Sequence, residues 1–536
     1  MATVPVPVAE EFIDHTTQAA LEEKAKLKKT FGRFDILFFL LCTLVGIETI
    51  GTVAANGPEA FTWLIIMGFV FFLPYGLLTA ELGAAFPEEG GPYVWTKLAF
   101  GRFGAAINAV IYWLSNPIWM GGTLAIVAVA AFSEFITPVT GIWQYLFALV
   151  FIWVGVLAAV LSFGVGKWIP TIGAFVRIIL FSFFTVSVVI YAIKNGVSGF
   201  GFGDFKPSYV GFVALIPLLF FNYVGFELPS TAGEEMKDPK KDVPFAVIRA
   251  AFGTIVLYGA PILAILLVLP KDQVTSLGGF LNAIKQVFTV YGGTVGAGGT
   301  AELTGFGAVL GTVAAICFIL ALLSSGTTWI MGADRAQAAA GFDGAAPRSF
   351  GRLSASFGTP IVVNLWSGII STVVMFLAYK LTSGDTGKYF VAVLGLAIST
   401  TTISYLLIFP CLYKLRKSHP DVERPYRVPG GDTGALIISI VTTLFAAFAT
   451  LALLWPGFLQ QNSDLALDDY GFCSQINDVV QCQRFQYEMS QLIPLAIFIG
   501  MGVIFYFLGR RTREASVDIP FAEELELDAR GGGTSD

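Results

Sequence analysis

Apolar runs of about 20 residues recur along nearly the whole chain, separated by short polar connections. They predict roughly twelve membrane helices, near 34–57, 63–86, 105–131, 142–163, 169–193, 209–235, 245–269, 304–333, 359–380, 388–413, 434–456 and 490–509. Almost nothing is left over for a separate soluble domain. The first 33 residues are polar and the first apolar run is a full span, so no cleavable leader is expected.

Two of these runs are interrupted. The first contains Gly46-Ile47-Glu48-Thr49-Ile50-Gly51, and the sixth contains Gly225-Phe226-Glu227 followed by Pro229. Lipid tolerates unwound backbone only where protein or a water-filled cavity satisfies it. The breaks lie five spans apart, which points to two five-helix repeats with a binding site where they meet. Because five is odd, the second copy enters from the opposite side, so the repeat is inverted. The expected fold is therefore an all-α membrane protein with about 12 transmembrane helices. Ten form a 5+5 inverted repeat with broken helices 1 and 6, and helices 11 and 12 are peripheral or in a dimer contact. The expected segments are a tail at 1–33, a first repeat at 34–193, an external loop at 194–208 and a second repeat at 209–413. A cytoplasmic loop at 414–433, helices 11 and 12 over 434–509 and a disordered cytoplasmic tail at 510–536 complete the chain.

An acid inside such a span is costly and is by default functional, with a partner. Glu48 and Glu227 on facing breaks would make an anionic pocket suited to a cationic amine. The blander reading of each is a structural carboxylate bonded to exposed amides of an unwound turn. Arg177 lies about ten residues into the fifth span, roughly 15 Å from its inner end at helical rise. There it needs a carboxylate, carbonyls or water, and it could fill the room of a sodium ion between spans one, five and eight. Arginine keeps its proton, so Glu227, not Arg177, would carry a coupled one. Glu81 reads as a structural or gating acid at the cytoplasmic edge. Phe221 and Trp329 are packing aromatics unless a cation sits on their rings.

Charge sharpens the topology. Lys and Arg concentrate on one set of loops, including Lys24 to Arg33, Lys237 to Lys241, Arg335 to Arg352 and Lys414 to Arg427. The asymmetry is roughly three to one and places both termini in the cytoplasm. A net charge of -6 over 536 residues gives no nucleic-acid surface. His15 and His419 lie in polar segments, and no cluster has metal-ligand spacing, so neither a metal nor a cofactor is expected. The intramembrane acids lack a nucleophile–base arrangement, which speaks against an enzyme. Cys42, Cys317 and Cys411 read as packing residues. Cys473 and Cys482 share one external loop, where a disulfide could persist, although spacing alone leaves the pairing open. A short amphipathic helix near 279–291 would cap the outer vestibule.

Four stretches together resemble the amino acid–polyamine–organocation transporter superfamily: ELGAAFPEEGGPYVWTKLAFG, GFELPSTAGEEMKDPKKDVPFAVIRA, ADRAQAAAGFDGAAPRSFGRL and RPYRVPGG. The resemblance runs from about residue 34 to 430 and implies ten core helices working by alternating access. Similarity to its arginine/agmatine and putrescine exchangers implies a proton-sensitive Glu227, an occluding aromatic at Phe221 and a substrate-stacking Trp329. The first break departs from the Gly-Ser-Gly type of those exchangers; GIETIG resembles polyamine uptake permeases of eukaryotic type. The resemblance implies a permease for amino acids, amines or polyamines in the plasma (cell inner) membrane, coupled to protons or working by exchange. Expected substrate contacts are Gly46, Ile47, Glu48, Thr49, Gly51, Phe221, Asn222, Gly225, Phe226, Glu227 and Trp329, with Glu227 and Arg177 in coupling. Monomer and homodimer both stay open. The alternatives are transport of an inorganic cation such as potassium, or a ligand sensor without transport.

Overall fold

Each apolar run folds as a helix that starts or stops where the sequence supplies a cap or a breaker. The computed structural model describes residues 16–161, 163–197, 202–269, 279–296, 300–381, 386–458, 467, 473–476 and 479–517. Helix α1 (Gln18–Lys24) precedes the spans, its first turn capped by the Thr17 hydroxyl. The first span is split into α2 (Arg33–Leu44) and α3 (Thr49–Ala55), bent by 46°. The next spans are α4 (Gly57–Ala85), α5 (Pro92–Phe135), α6 (Ile142–Ala159) and α7 (Trp168–Asn195). Gly101 takes φ 80° inside α5 and kinks it.

The second repeat opens with α8 (Tyr209–Asn222), capped by the Ser208 hydroxyl on the Gly211 amide. Beyond the break the sixth span does not regain an α-helix; it continues as two 3₁₀ turns, Leu228–Thr231 and Gly233–Glu235. Pro229 lacks an amide hydrogen and Gly233 adds backbone freedom, which favours short turns over a second half-helix. Then come α9 (Pro239–Val268), the short α10 (Gly279–Phe288) and α11 (Gly305–Phe342). The spans α12 (Ile361–Leu381) and α13 (Thr386–Ile408) follow. Helix α11 runs nine residues past the predicted end, because Ala336 to Ala340 are strong helix formers and nothing stops them before Gly344 at φ 79°. After the short α14 (Cys411–Ser418), α15 (Gly431–Leu454) and α16 (Arg484–Leu508) complete the chain.

Among the described residues, ten helices are long and apolar enough to cross a membrane, eleven when the bent pair counts as one. The short α8 with its turns supplies the sixth passage. Helix α15 packs on α8 and α13, and α16 packs mainly on α5. Only 17% of the apolar window of α16 is buried, which puts it at the periphery. Thr16–Thr17 pairs antiparallel with Ser516–Val517, so the two described chain ends share one face, the tail face. On the far face Cys473 and Cys482 close a small hairpin as a disulfide. Expectations for the connection at 198–201 and the tail beyond 517 lie outside the described residues.

Candidate substrate site

Unwinding the first span frees backbone groups, and neighbouring helices take them up. The Gly46 amide donates to the Tyr258 hydroxyl of α9 at 2.7 Å. The Trp329 indole of α11 donates to the Thr43 carbonyl at 3.1 Å. Arg177 Nε of α7 donates to the Val45 carbonyl at 3.0 Å. Arg177 is fully buried and also donates to the carbonyls of Gly173 and Ala321 and to the hydroxyls of Ser324 and Ser325. Its guanidinium thus ties spans one, five and eight together. Glycine at 46 is a packing requirement: a Cβ there would lie 2.8 Å from Glu48 Oε1, which folds back over it.

At the second break Gly225 takes φ 126°, a conformation that side chains disfavour. A Cβ on it would meet Thr43 Cγ2 at 2.6 Å and Trp329 Cζ2 at 2.9 Å, so the two breaks approach each other across this glycine. The Gly225 and Phe226 amides both donate to the Tyr75 hydroxyl, at 3.1 and 3.0 Å. That hydroxyl in turn donates to Glu227 Oε2. The other oxygen of Glu227 accepts from Tyr112 and Tyr405, each at 2.7 Å. Three tyrosines, from α4, α5 and α13, therefore enclose a carboxylate with no solvent exposure.

Beside the breaks lies a small cavity. Six predicted site residues line it: Gly46, Glu48, Thr49, Phe221, Asn222 and Trp329. Ile47, Gly51, Gly225, Phe226, Glu227 and Arg177 are not on its lining. Phe226 packs on Phe72 and Tyr75, and Glu227 is held by its tyrosines, so the structure does not bring Glu48 and Glu227 into one pocket. Glu48 is only 4% exposed, and neither of its oxygens has a hydrogen-bond partner among the described residues. The amide atoms of Asn222 and the Trp119 indole nitrogen are likewise buried and unpartnered.

Trp119 was not anticipated. Its ring stands edge-on to Trp329 at 78° and to Phe221 at 76°, each with centroids 6.2 Å apart, so three aromatics wall one side. Ser115, Asn116, Tyr258 and Thr401 were missed as well. A signal existed: Ser115-Asn116-Pro117 interrupts the third span, and Ser399 to Thr402 forms a polar run in the tenth.

The tail face is sealed by ion pairs. Arg335, 1% exposed, meets Glu89 at 3.2 Å and Glu235 at 2.9 Å. Glu81 accepts from Nε and Nη2 of Arg416, at 2.6 and 2.5 Å, and from the Val428 amide, which ties down the RPYRVPGG loop. Asp343, just past α11, accepts from Tyr93 and Arg102 and pairs with Lys97. Burial alone would raise its pKa, but Lys97, Arg102 and the hydrogen bonds outweigh it and hold the carboxyl below the usual range.

Broken first and sixth spans, meeting beside a small cavity inside a helical bundle, define a multi-pass membrane transporter. A sequence model of the amino acid permease family matches residues 31–466, and the chain belongs to that family. It is 29% identical over 430 residues to a probable agmatine/putrescine antiporter, AguD, of Lactococcus lactis subsp. lactis, covering 78% of this chain and 88% of that protein. It is 24% identical over 464 residues to the branched-chain amino acid permease BcaP of Bacillus subtilis, covering 82% and 90%. Its fold is shared by a mutant manganese transporter from Eremococcus coleocola, with TM-score 0.55 at 14% identity over 95% of this chain and 98% of that one. The chain is thus a secondary transporter of amino acids or amines, not an enzyme.

Proposed function

We propose that the transported solute is a cationic amino acid or amine, with Glu48 as its counter-charge. One observation carries this reading: both Glu48 oxygens are buried, unpartnered and on the lining of a cavity otherwise aromatic or neutral. A buried carboxylate left in that state is costly, and an ammonium or guanidinium group would restore its lost hydrogen bonds. The aromatic wall suits the same cation, because ring faces attract positive charge. The likeness to an agmatine/putrescine antiporter points the same way.

In this reading Glu227 is the proton-linked switch. It binds the backbone of the second break through Tyr75, and protonation would turn one acceptor of the tyrosine cage into a donor. Arg177 supplies a fixed cation between spans one, five and eight in place of sodium. The excess of Lys and Arg on the tail face supports a plasma-membrane permease with that face in the cytoplasm. The test is uptake of labelled alanine, glutamate, arginine and putrescine into proteoliposomes, with and without an inward proton gradient and without sodium. Gradient-stimulated uptake of arginine or putrescine is expected. Uptake of alanine alone would return Glu48 to a structural role.

A further inference from the structure

Resting on that reading, we infer that the site excludes carboxylates: its substrate is an amine without a carboxyl group, not a basic amino acid. A zwitterionic or basic amino acid needs donors or a cation for its carboxylate. At broken spans those donors are freed backbone amides. Here three of them are already spent within the protein. The Gly46 amide goes to the Tyr258 hydroxyl, and the Gly225 and Phe226 amides go to the Tyr75 hydroxyl.

A cationic side chain could take their place, but no Lys, Arg or His is among the residues lining the cavity. Arg177 is the nearby candidate, and all three of its nitrogens are committed to carbonyls and hydroxyls of spans one, five and eight. The single charge on the lining is Glu48, which the Arg177 guanidinium behind the lining offsets only in part, and a second carboxylate there would repel it. The open acceptors suit the other end of the molecule. Glu48 offers two unpartnered oxygens and Asn222 an unpartnered amide oxygen, all buried, and each can take an N–H from an ammonium or guanidinium group. The Asn222 amide nitrogen and the Trp119 indole nitrogen remain as donors, but neither carries the charge that a carboxylate would need in so small a space.

Pairs of ligands that differ only in the carboxyl group test this directly. Binding isotherms on the purified full chain in detergent would compare arginine with agmatine and ornithine with putrescine, with arginine methyl ester as a masked carboxylate. Agmatine and putrescine should bind at least about tenfold more tightly than arginine and ornithine, and the ester should come within about threefold of agmatine. Glu48→Gln should weaken agmatine and bring its ratio to arginine toward one. Arginine binding as tightly as agmatine to the unaltered protein overturns carboxylate exclusion while leaving the cationic reading intact. Failure of every cation to bind, with or without alanine binding, sinks the cationic reading itself. The comparison on the unaltered chain decides the matter even where Glu48→Gln does not fold.

Discussion

The indole nitrogen of Trp329 lies 3.1 Å from the Thr43 carbonyl, so one side chain both caps the unwound first span and walls the cavity. The two jobs separate by substitution. Trp329→Phe keeps a ring but loses the cap, whereas Trp329→Ala loses both. Trp329→Ala should weaken cationic ligands by about tenfold more than neutral ones, on the scale of a desolvated cation–π contact. Trp329→Phe should lower thermal stability with a smaller loss of cation affinity. Equal losses for cationic and neutral ligands would return the tryptophan to packing.

Glu227 accepts two 2.7 Å hydrogen bonds on one oxygen and a third, from Tyr75, on the other. Glutamine preserves shape and cannot titrate. In proteoliposomes Glu227→Gln should leave substrate binding within about threefold and flatten the pH dependence of uptake. Tyr112→Phe and Tyr405→Phe each remove one donor to the charged form, so each should shift the pH midpoint upward. A pH profile unchanged in Glu227→Gln would take the switch away from this residue.

The scaffold was legible because its signals are local. Apolar runs mark the spans, and Gly46 and Gly225 mark the breaks. What periodicity could not convey is which freed backbone group meets which helix. Tyr75, Tyr112 and Tyr405 read as ordinary aromatics in apolar runs, and only folding brings their hydroxyls to Glu227. The same limit explains Glu48 and Glu227. Sequence placed both acids on facing breaks, but the tyrosines that claim one and leave the other open lie 115 to 178 positions from Glu227. Trp119 was hidden for a related reason: an aromatic in a span is usually packing, and its edge-on partners come from two other helices.

Arg177 makes its bonds without a carboxylate among them: carbonyls of Val45, Gly173 and Ala321, hydroxyls of Ser324 and Ser325, and Cys42 Sγ. Arg177→Met would leave these acceptors unsatisfied and unfasten the first break from spans five and eight. A loss of about 3 kcal/mol or more is expected, read as a drop in the apparent Tm in detergent. Arg177→Lys keeps the charge but not the fork, and should recover only part of the loss. Transport by the surviving Arg177→Lys protein should stay independent of sodium. Appearance of sodium stimulation in Arg177→Met would support the fixed-cation role, and wild-type stability in that variant would refute the structural one.

Asp343 offers a test away from the cavity, at the end of α11 on the tail face. Its carboxylate gathers Tyr93 at 2.6 Å, Arg102 at 2.9 Å and Lys97 at 3.3 Å. Burial opposes the charge, but these partners prevail and its pKa is lowered in the folded protein. A lowered folded pKa means that the folded state holds its proton less tightly than the unfolded one. The stabilisation is therefore complete above the ordinary carboxylate value of about 4 and fades as pH falls through the lower, folded value. Asp343→Asn leaves Lys97 and Arg102 facing a neutral amide and should cost about 3 kcal/mol at neutral pH. The gap in apparent Tm between the two proteins should hold from about pH 7 to pH 5 and narrow below about pH 4. A gap that stays constant through that acid range would mean that Asp343 acts by shape and not by charge.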